Sequence, residues 1–89
     1  MPTREFPIIN KLGLHARAAS KFVTVASQHQ AEIKVEKGGR EVSGKSIMGV
    51  MMLAAARGST IVVHAQGEDA EAALDALEAL VADRFGEGQ

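Results

Sequence analysis

The chain has no cysteine, tryptophan or tyrosine, and its 89 residues include only three phenylalanines and two prolines. Without cysteine, neither a disulfide framework nor a zinc–thiolate site is available. Neither sign of charge dominates, since ten Lys and Arg stand against eleven Asp and Glu. With no basic excess and almost no rings on which bases could stack, nucleic acid is not expected as a partner. The longest apolar stretch, Ile47 to Ala56, is interrupted by Gly49 and ends at Arg57, well short of a membrane span. Met1-Pro2-Thr3-Arg4-Glu5 shows no basic region leading into a long apolar run, so no signal peptide is visible. These absences leave one small domain, 1–89, expected in the cytoplasm and without membrane insertion. Hydrophobic residues make up 46% of it, enough for an aliphatic core.

The periodicities divide the chain into seven elements. Glu5 to Asn10 reads as a strand with Phe6 and Ile8 on one face. Pro7 cannot donate to a ladder, so this strand belongs at a sheet edge with position 7 facing out. Lys11 to Leu14 form a loop. From Ala16 to about Gln28 the pattern is helical, with Ala19, Phe22, Val23 and Ala26 on one face. Ala31 to Lys37 alternates as a half-buried strand, Gly38-Gly39 signals a two-residue hairpin, and Arg40 to Ser43 returns beside it. Gly44 ends that strand and Lys45-Ser46 opens a second helix striped by Ile47, Val50, Met51 and Ala54. Gly49 inside it implies either a short helix or a close approach. Arg57-Gly58-Ser59 is expected to end it, with Gly58 as a left-handed cap. Thr60 to Ala65 alternates as the fourth strand. Asp69 is expected to cap a helix running from Ala70 to Arg84, which Phe85-Gly86 stops. Residues 1–86 are then the ordered core and 87–89 a frayed tail. The order β-α-β-β-α-β-α implies one sheet covered by helices on one side, with Glu32, Lys34, Glu36 and His64 facing water.

Chemistry concentrates at the start of the first helix. His15 stands where that helix begins, with Arg17 two residues on. A helix start offers backbone N–H groups without intrahelical partners, at the positive end of the helix dipole. That setting disfavours an imidazolium and leaves a neutral ring with a lone pair, a nucleophile toward phosphorus. Amides 16–18 and the Arg17 guanidinium could then hold a phosphoryl group. Taken alone, the spacing favours a plain polar residue at a loop-to-helix junction.

The run Lys11-Leu12-Gly13-Leu14-His15-Ala16-Arg17-Ala18-Ala19, together with Lys45-Ser46-Ile47-Met48, resembles the histidine-containing phosphocarrier family of the bacterial phosphoenolpyruvate:sugar phosphotransferase system and its nitrogen-related paralogues. Chain length, element order and the Gly67-Glu68-Asp69 turn fit as well, so the resemblance spans nearly the whole chain. It implies an α+β open-faced β-sandwich: a four-stranded antiparallel sheet, order 1-4-2-3, with three helices on one face. It implies that enzyme I, charged by phosphoenolpyruvate, phosphorylates Nδ1 of His15, and that the group passes on to enzyme IIA proteins, sugar-specific or nitrogen-related. Arg17 would be the active-site arginine, and the backbone of Ala16, Arg17 and Ala18 the phosphate cradle. Such a protein is a monomeric carrier without turnover of its own, and no cofactor or metal is expected.

The family usually has proline where this chain has Ala18. Proline is tolerated in the first helical turn but supplies no N–H, so alanine adds a donor to the cradle. Ser46 reads from the sequence as a helix N-cap. By resemblance it is also a regulatory site for an ATP-dependent HPr kinase/phosphorylase. Ala16, Ser20, Ile47, Met48 and Met51 are expected to dock partner proteins, a use that suits pliable methionines, while Val50 and Leu53 are expected in the core. His29 and His64 show no metal-ligand spacing and read as incidental. Two other classes stay open on the residues themselves: a regulatory module read through phospho-Ser46 with His15 idle, and a small hydrolase of acyl phosphates.

Overall fold

The computed structural model describes residues 2–88. In chain order it forms β1 (Thr3–Pro7), α1 (Ala16–Ser27), β2 (Glu32–Lys37), β3 (Arg40–Ser43), α2 (Ile47–Met52), β4 (Thr60–Gln66) and α3 (Ala70–Ala82), followed by a 3-10 turn at Arg84–Gly86. The strands make one antiparallel sheet in the order β1-β4-β2-β3, and the three helices cover one face of it. This is the expected open-faced β-sandwich. Period-two alternation sends Phe6, Ile33, Val35, Ile61, Val63 and Ala65 into the core. There they meet Phe22 and Ala26 of α1 and Leu74 and Leu77 of α3.

β1 lies at the sheet edge, as Pro7 requires. It ends at Pro7, which pairs with Thr60, rather than at Asn10. The next residue, Ile8, donates its N–H to the Ser59 carbonyl at 2.8 Å. Amides alternate in direction along an antiparallel strand, so the position lacking an N–H faces away from β4. Asn10 instead leaves the sheet and is completely buried.

The second helix is shorter than expected. It stops at Met52, and Ala54 takes a left-handed φ of 52°. Gly58 is therefore not its cap but part of the turn into β4. Both readings of Gly49 hold, because the helix is short and a Cβ there would lie 3.2 Å from the Val42 Cβ. Gly13 serves the same end on the other side of the site. Its φ is +66°, and a Cβ would lie 2.4 Å from the Ala55 carbonyl oxygen, which accepts the Leu14 N–H at 2.9 Å. The loop leading into α1 is thus pinned to the segment after α2.

Asp69 occupies the start of α3 but makes no side-chain cap. Its carboxylate instead accepts the N–H groups of Gln30 and Ala31, each at 2.8 Å, and so ties the α1–β2 turn to α3. The largest departure is at the C-terminus. α3 ends at Ala82, not Arg84, and Arg84 and Phe85 both adopt left-handed φ values, 55° and 54°. Each such residue costs about 1–2 kcal/mol outside glycine. Burial of the Phe85 ring, fully removed from solvent, returns about 1.5–3 kcal/mol. The Lys21 ammonium adds a hydrogen bond to the Phe85 carbonyl at 2.7 Å. This hook turns the chain back across α1. Of the tail expected to fray, Gln89 lies outside the described residues, whereas Glu87 is held by two side chains.

Candidate active site

His15 is the N-cap residue of α1, with extended backbone (φ −73°, ψ 177°) and no side-chain cap. Its carbonyl accepts the first helical hydrogen bond, from Ala19 N–H at 2.8 Å. The amides of Ala16, Arg17 and Ala18 precede that bond and have no carbonyl four residues back in the helix. Because the ring makes no cap, it is available for other contacts.

Its Nε2 contacts Oε2 of Glu87, brought there by the C-terminal hook. The second carboxylate oxygen, Oε1, accepts Nδ2 of the buried Asn10 at 3.0 Å, and the same Nδ2 donates to the Gly13 carbonyl at 2.8 Å. Two acceptors on one side settle which end of the amide is nitrogen, and leave Asn10 Oδ1 buried without a hydrogen-bond partner. The Glu87 carboxyl is held below the usual carboxylate range. Burial opposes its ionisation, but hydrogen bonds from Asn10 and His15 and attraction by His15 and Lys21 outweigh it. An ionised carboxylate can only accept, so Nε2 carries a proton and a neutral ring has its lone pair on Nδ1. That nitrogen has no hydrogen-bond partner among the described residues.

Around the ring lies an open depression of about 740 Å³ lined by Lys11, Leu12, His15, Ala16, Arg17, Gly86 and Glu87. Neither Lys11 nor Arg17 has a hydrogen-bond or ion-pair partner among the described residues. Two unneutralised cations, free amides and an open imidazole nitrogen suit a transient dianion.

Helix α2 packs on α1. Ser46 is exposed and caps it, its Oγ accepting the Gly49 N–H at 3.1 Å. Ile47 and Met48 are exposed, 43% and 68%, as are Ala16 and Ser20 on α1. Met51 is only half exposed and leans on the core. Val50 and Leu53 are in the core.

A family model described as the PTS HPr component phosphorylation site matches residues 2–83. The chain belongs to the HPr family. It is 53% identical over 89 residues to the phosphocarrier protein HPr of Cupriavidus necator, covering all of both chains. It is 48% identical over 84 residues to the phosphocarrier protein NPr of Shewanella violacea, covering 94% of this chain and 92% of that one. Crystalline HPr from Thermoanaerobacter tengcongensis superposes with a TM-score of 0.94 at 44% identity, covering 98% of each chain.

The depression gathers His15, Ala16 and Arg17 but not every residue singled out from the sequence. The Ala18 side chain lies in the core, so only its backbone can serve the site. Ser46, Ile47 and Met48 stand on the neighbouring helix outside the depression's lining. Sequence reasoning missed Glu87, Asn10 and Lys11. It also missed Leu12, exposed by 65%. For Asn10 the available signal was a lone amide ending an apolar strand. For Glu87 there was none, because its place depends on two left-handed non-glycine residues.

On the open sheet face, carboxylate oxygens of Glu36 and Glu41 and a ring nitrogen of His64 come within 4.8 Å of one another. His64 Nε2 already lies 3.2 Å from Glu36 and its Nδ1 2.8 Å from the Thr3 hydroxyl, while the Lys34 ammonium lies 3.7 Å from Glu41. The cluster's groups are engaged with one another and with Thr3 and Lys34. No helix among the described residues is long and apolar enough to cross a membrane.

Proposed function

We propose that this member of the HPr family accepts a phosphoryl group from phosphorylated enzyme I on Nδ1 of His15 and passes it to enzyme IIA proteins. The observation that carries the reading is the engagement of His15 Nε2 by Glu87, which leaves the lone pair on Nδ1, in a ring that borders an open depression together with Lys11 and Arg17. In this reading Arg17 neutralises the arriving group, and the amides of Ala16, Arg17 and Ala18 hold its oxygens. The contacts are exposed and few, as a carrier that must release its cargo requires. Ala16, Ser20, Ile47, Met48 and Met51 meet the partner proteins, joined by Leu12 and Met52.

Ser46 is the regulatory position in the same scheme. A phosphate at this helix start is favourable for the helix, and its charge repels acidic partner surfaces beside the docking methionines. The kinase class is an ATP-dependent HPr kinase/phosphorylase. The carrier works as a single-domain monomer in the cytoplasm and needs no cofactor.

The test is incubation with phosphoenolpyruvate and enzyme I, followed by intact mass. The expected result is the mass of one phosphate, lost in acid and absent from His15→Ala. Sustained release of free phosphate would instead mark a hydrolase, and no incorporation would refute the carrier role.

A further inference from the structure

We propose that Glu87 is a positioning residue that keeps the proton on Nε2 of His15 while Nδ1 carries the phosphoryl group, so that the ring departs as neutral imidazole when the group moves on. The proposal rests on the carrier role of His15.

The chemistry sets the requirement. When the Nδ1 lone pair forms its bond to phosphorus, the donor's nitrogen–phosphorus bond breaks and that electron pair stays with the donor nitrogen. The His15 ring, still bearing its Nε2 proton, becomes cationic. In the onward step a nitrogen of the next carrier attacks phosphorus, the Nδ1–phosphorus bond breaks, and its pair returns to Nδ1. With Nε2 protonated the leaving group is a neutral imidazole. If Nε2 loses its proton in between, the leaving group is an imidazolate, far more basic and a poor one, and transfer waits for the proton to return. A carrier therefore gains from a fixed anion at Nε2.

The structure supplies that anion and fixes it from three sides. The Glu87 carboxylate is 12% exposed and meets Nε2 through Oε2. Asn10, wholly buried, holds Oε1 at 3.0 Å. The hook itself is anchored by the Phe85 ring and by Lys21 on the Phe85 carbonyl. The charged groups facing the ring are Lys11 from the loop, Arg17 from α1 and Glu87 from the hook, with Lys21 of α1 behind Glu87. The carboxylate meets Nε2, and Nδ1 has no hydrogen-bond partner among the described residues, so the two nitrogens of the ring are chemically distinct.

The test uses the full chain with 15N-labelled histidine, phosphorylated by enzyme I. Nε2 protonation is followed by NMR, and back-transfer to enzyme I is timed, for wild type and Glu87→Gln. The amide keeps a hydrogen-bond acceptor but no charge. The expected result is that the variant's phosphohistidine loses the Nε2 proton at a pH lower by about one unit or more. Its transfer should match wild type near about pH 6 and fall about tenfold behind near about pH 8. Coincident titrations, or an equal slowing at both pH values, would overturn the proposal, the latter marking a merely structural role. If wild type takes up no phosphate on His15, the carrier reading itself fails, and mass spectrometry separates that outcome from this one.

Discussion

Replacing Phe85 with alanine tests the link between the C-terminal hook and the site. The ring is fully buried and packs where α1 and α3 meet the turn. Truncating a core phenylalanine costs about 3–5 kcal/mol through lost transfer energy and the cavity left behind. The hook offers one route of escape. If it detaches, Arg84 and Phe85 leave their left-handed conformations, which releases about 2 kcal/mol or somewhat more. The net loss is then about 1–3 kcal/mol. For a domain of this size each kcal/mol is worth about 4–8 °C, so the melting temperature should fall by about 4 °C or more. Thermal unfolding by circular dichroism gives that number. Amide exchange at residues 84–88, and 15N spectra of His15 losing its preferred tautomer, show whether the hook has detached. A loss below about 1 kcal/mol with an unchanged His15 tautomer would refute the reasoning, since neither the burial of the ring nor its hold on Glu87 would then matter.

Met48→Glu should weaken enzyme I binding about tenfold or more without unfolding the domain. The side chain is 68% exposed, and surface changes of this kind usually stay within about 0.5 kcal/mol; a collapse of the melting transition would place Met48 in the core. Ser46→Asp should slow phosphoryl acceptance from enzyme I while the helix stays capped, because Asp is itself a good N-cap; unchanged kinetics would remove Ser46 from regulation. Ala18→Pro deletes one amide from the cradle, so its phosphohistidine should hydrolyse faster than the wild-type one; an equal rate would show the donor is unused. The Asp69 carboxyl is held below its usual value by the backbone N–H of Gln30, against some desolvation, with the Ala31 N–H helping. A depressed folded-state pKa stabilises above the unfolded value of 3.8 and is lost as pH falls through the folded value. Asp69→Asn should therefore flatten the acid limb of stability against pH; an unaltered slope there would show the two hydrogen bonds carry no linkage.

Most of the fold was legible because it is periodic. Phe6 and Ile8, or Ile33 and Val35, announce a buried face by alternation alone, and Pro7 alone placed β1 at the edge. The resemblance then supplied the strand order, which no local pattern encodes. What escaped was aperiodic. Helix α2 ends at Met52 because Ala54 turns left-handed, although alanine is a strong helix former and nothing nearby signals a stop. Asp69 looks like a cap by position, yet it bonds amides 38 and 39 residues away, a contact only the folded chain creates. The same reasoning separates Met51 from Met52. On a regular stripe Met51 faces in and out equally well, and only the short helix decides that it leans on the core while Met52 stays outside.

The site follows the same division. His15 and Arg17 are local, two positions apart at a helix start, and their chemistry can be read from adjacency. The groups that orient the histidine come from elsewhere: Asn10 from the end of the first strand's run and Glu87 from the chain's far end, 72 residues on. They meet because two sterically disfavoured residues, Arg84 and Phe85, redirect the chain after α3. That conformation is maintained at a local cost of about 1–2 kcal/mol per residue, which packing of a single ring and a lysine–carbonyl bond offset. A backbone strained to this degree persists where the surrounding structure over-determines it, and what it delivers here is a carboxylate at one nitrogen of the acceptor histidine. The acceptor was visible in the sequence because its neighbours make it reactive. Its orientation was not, because orientation is set by tertiary contacts that bring together three segments with no shared period.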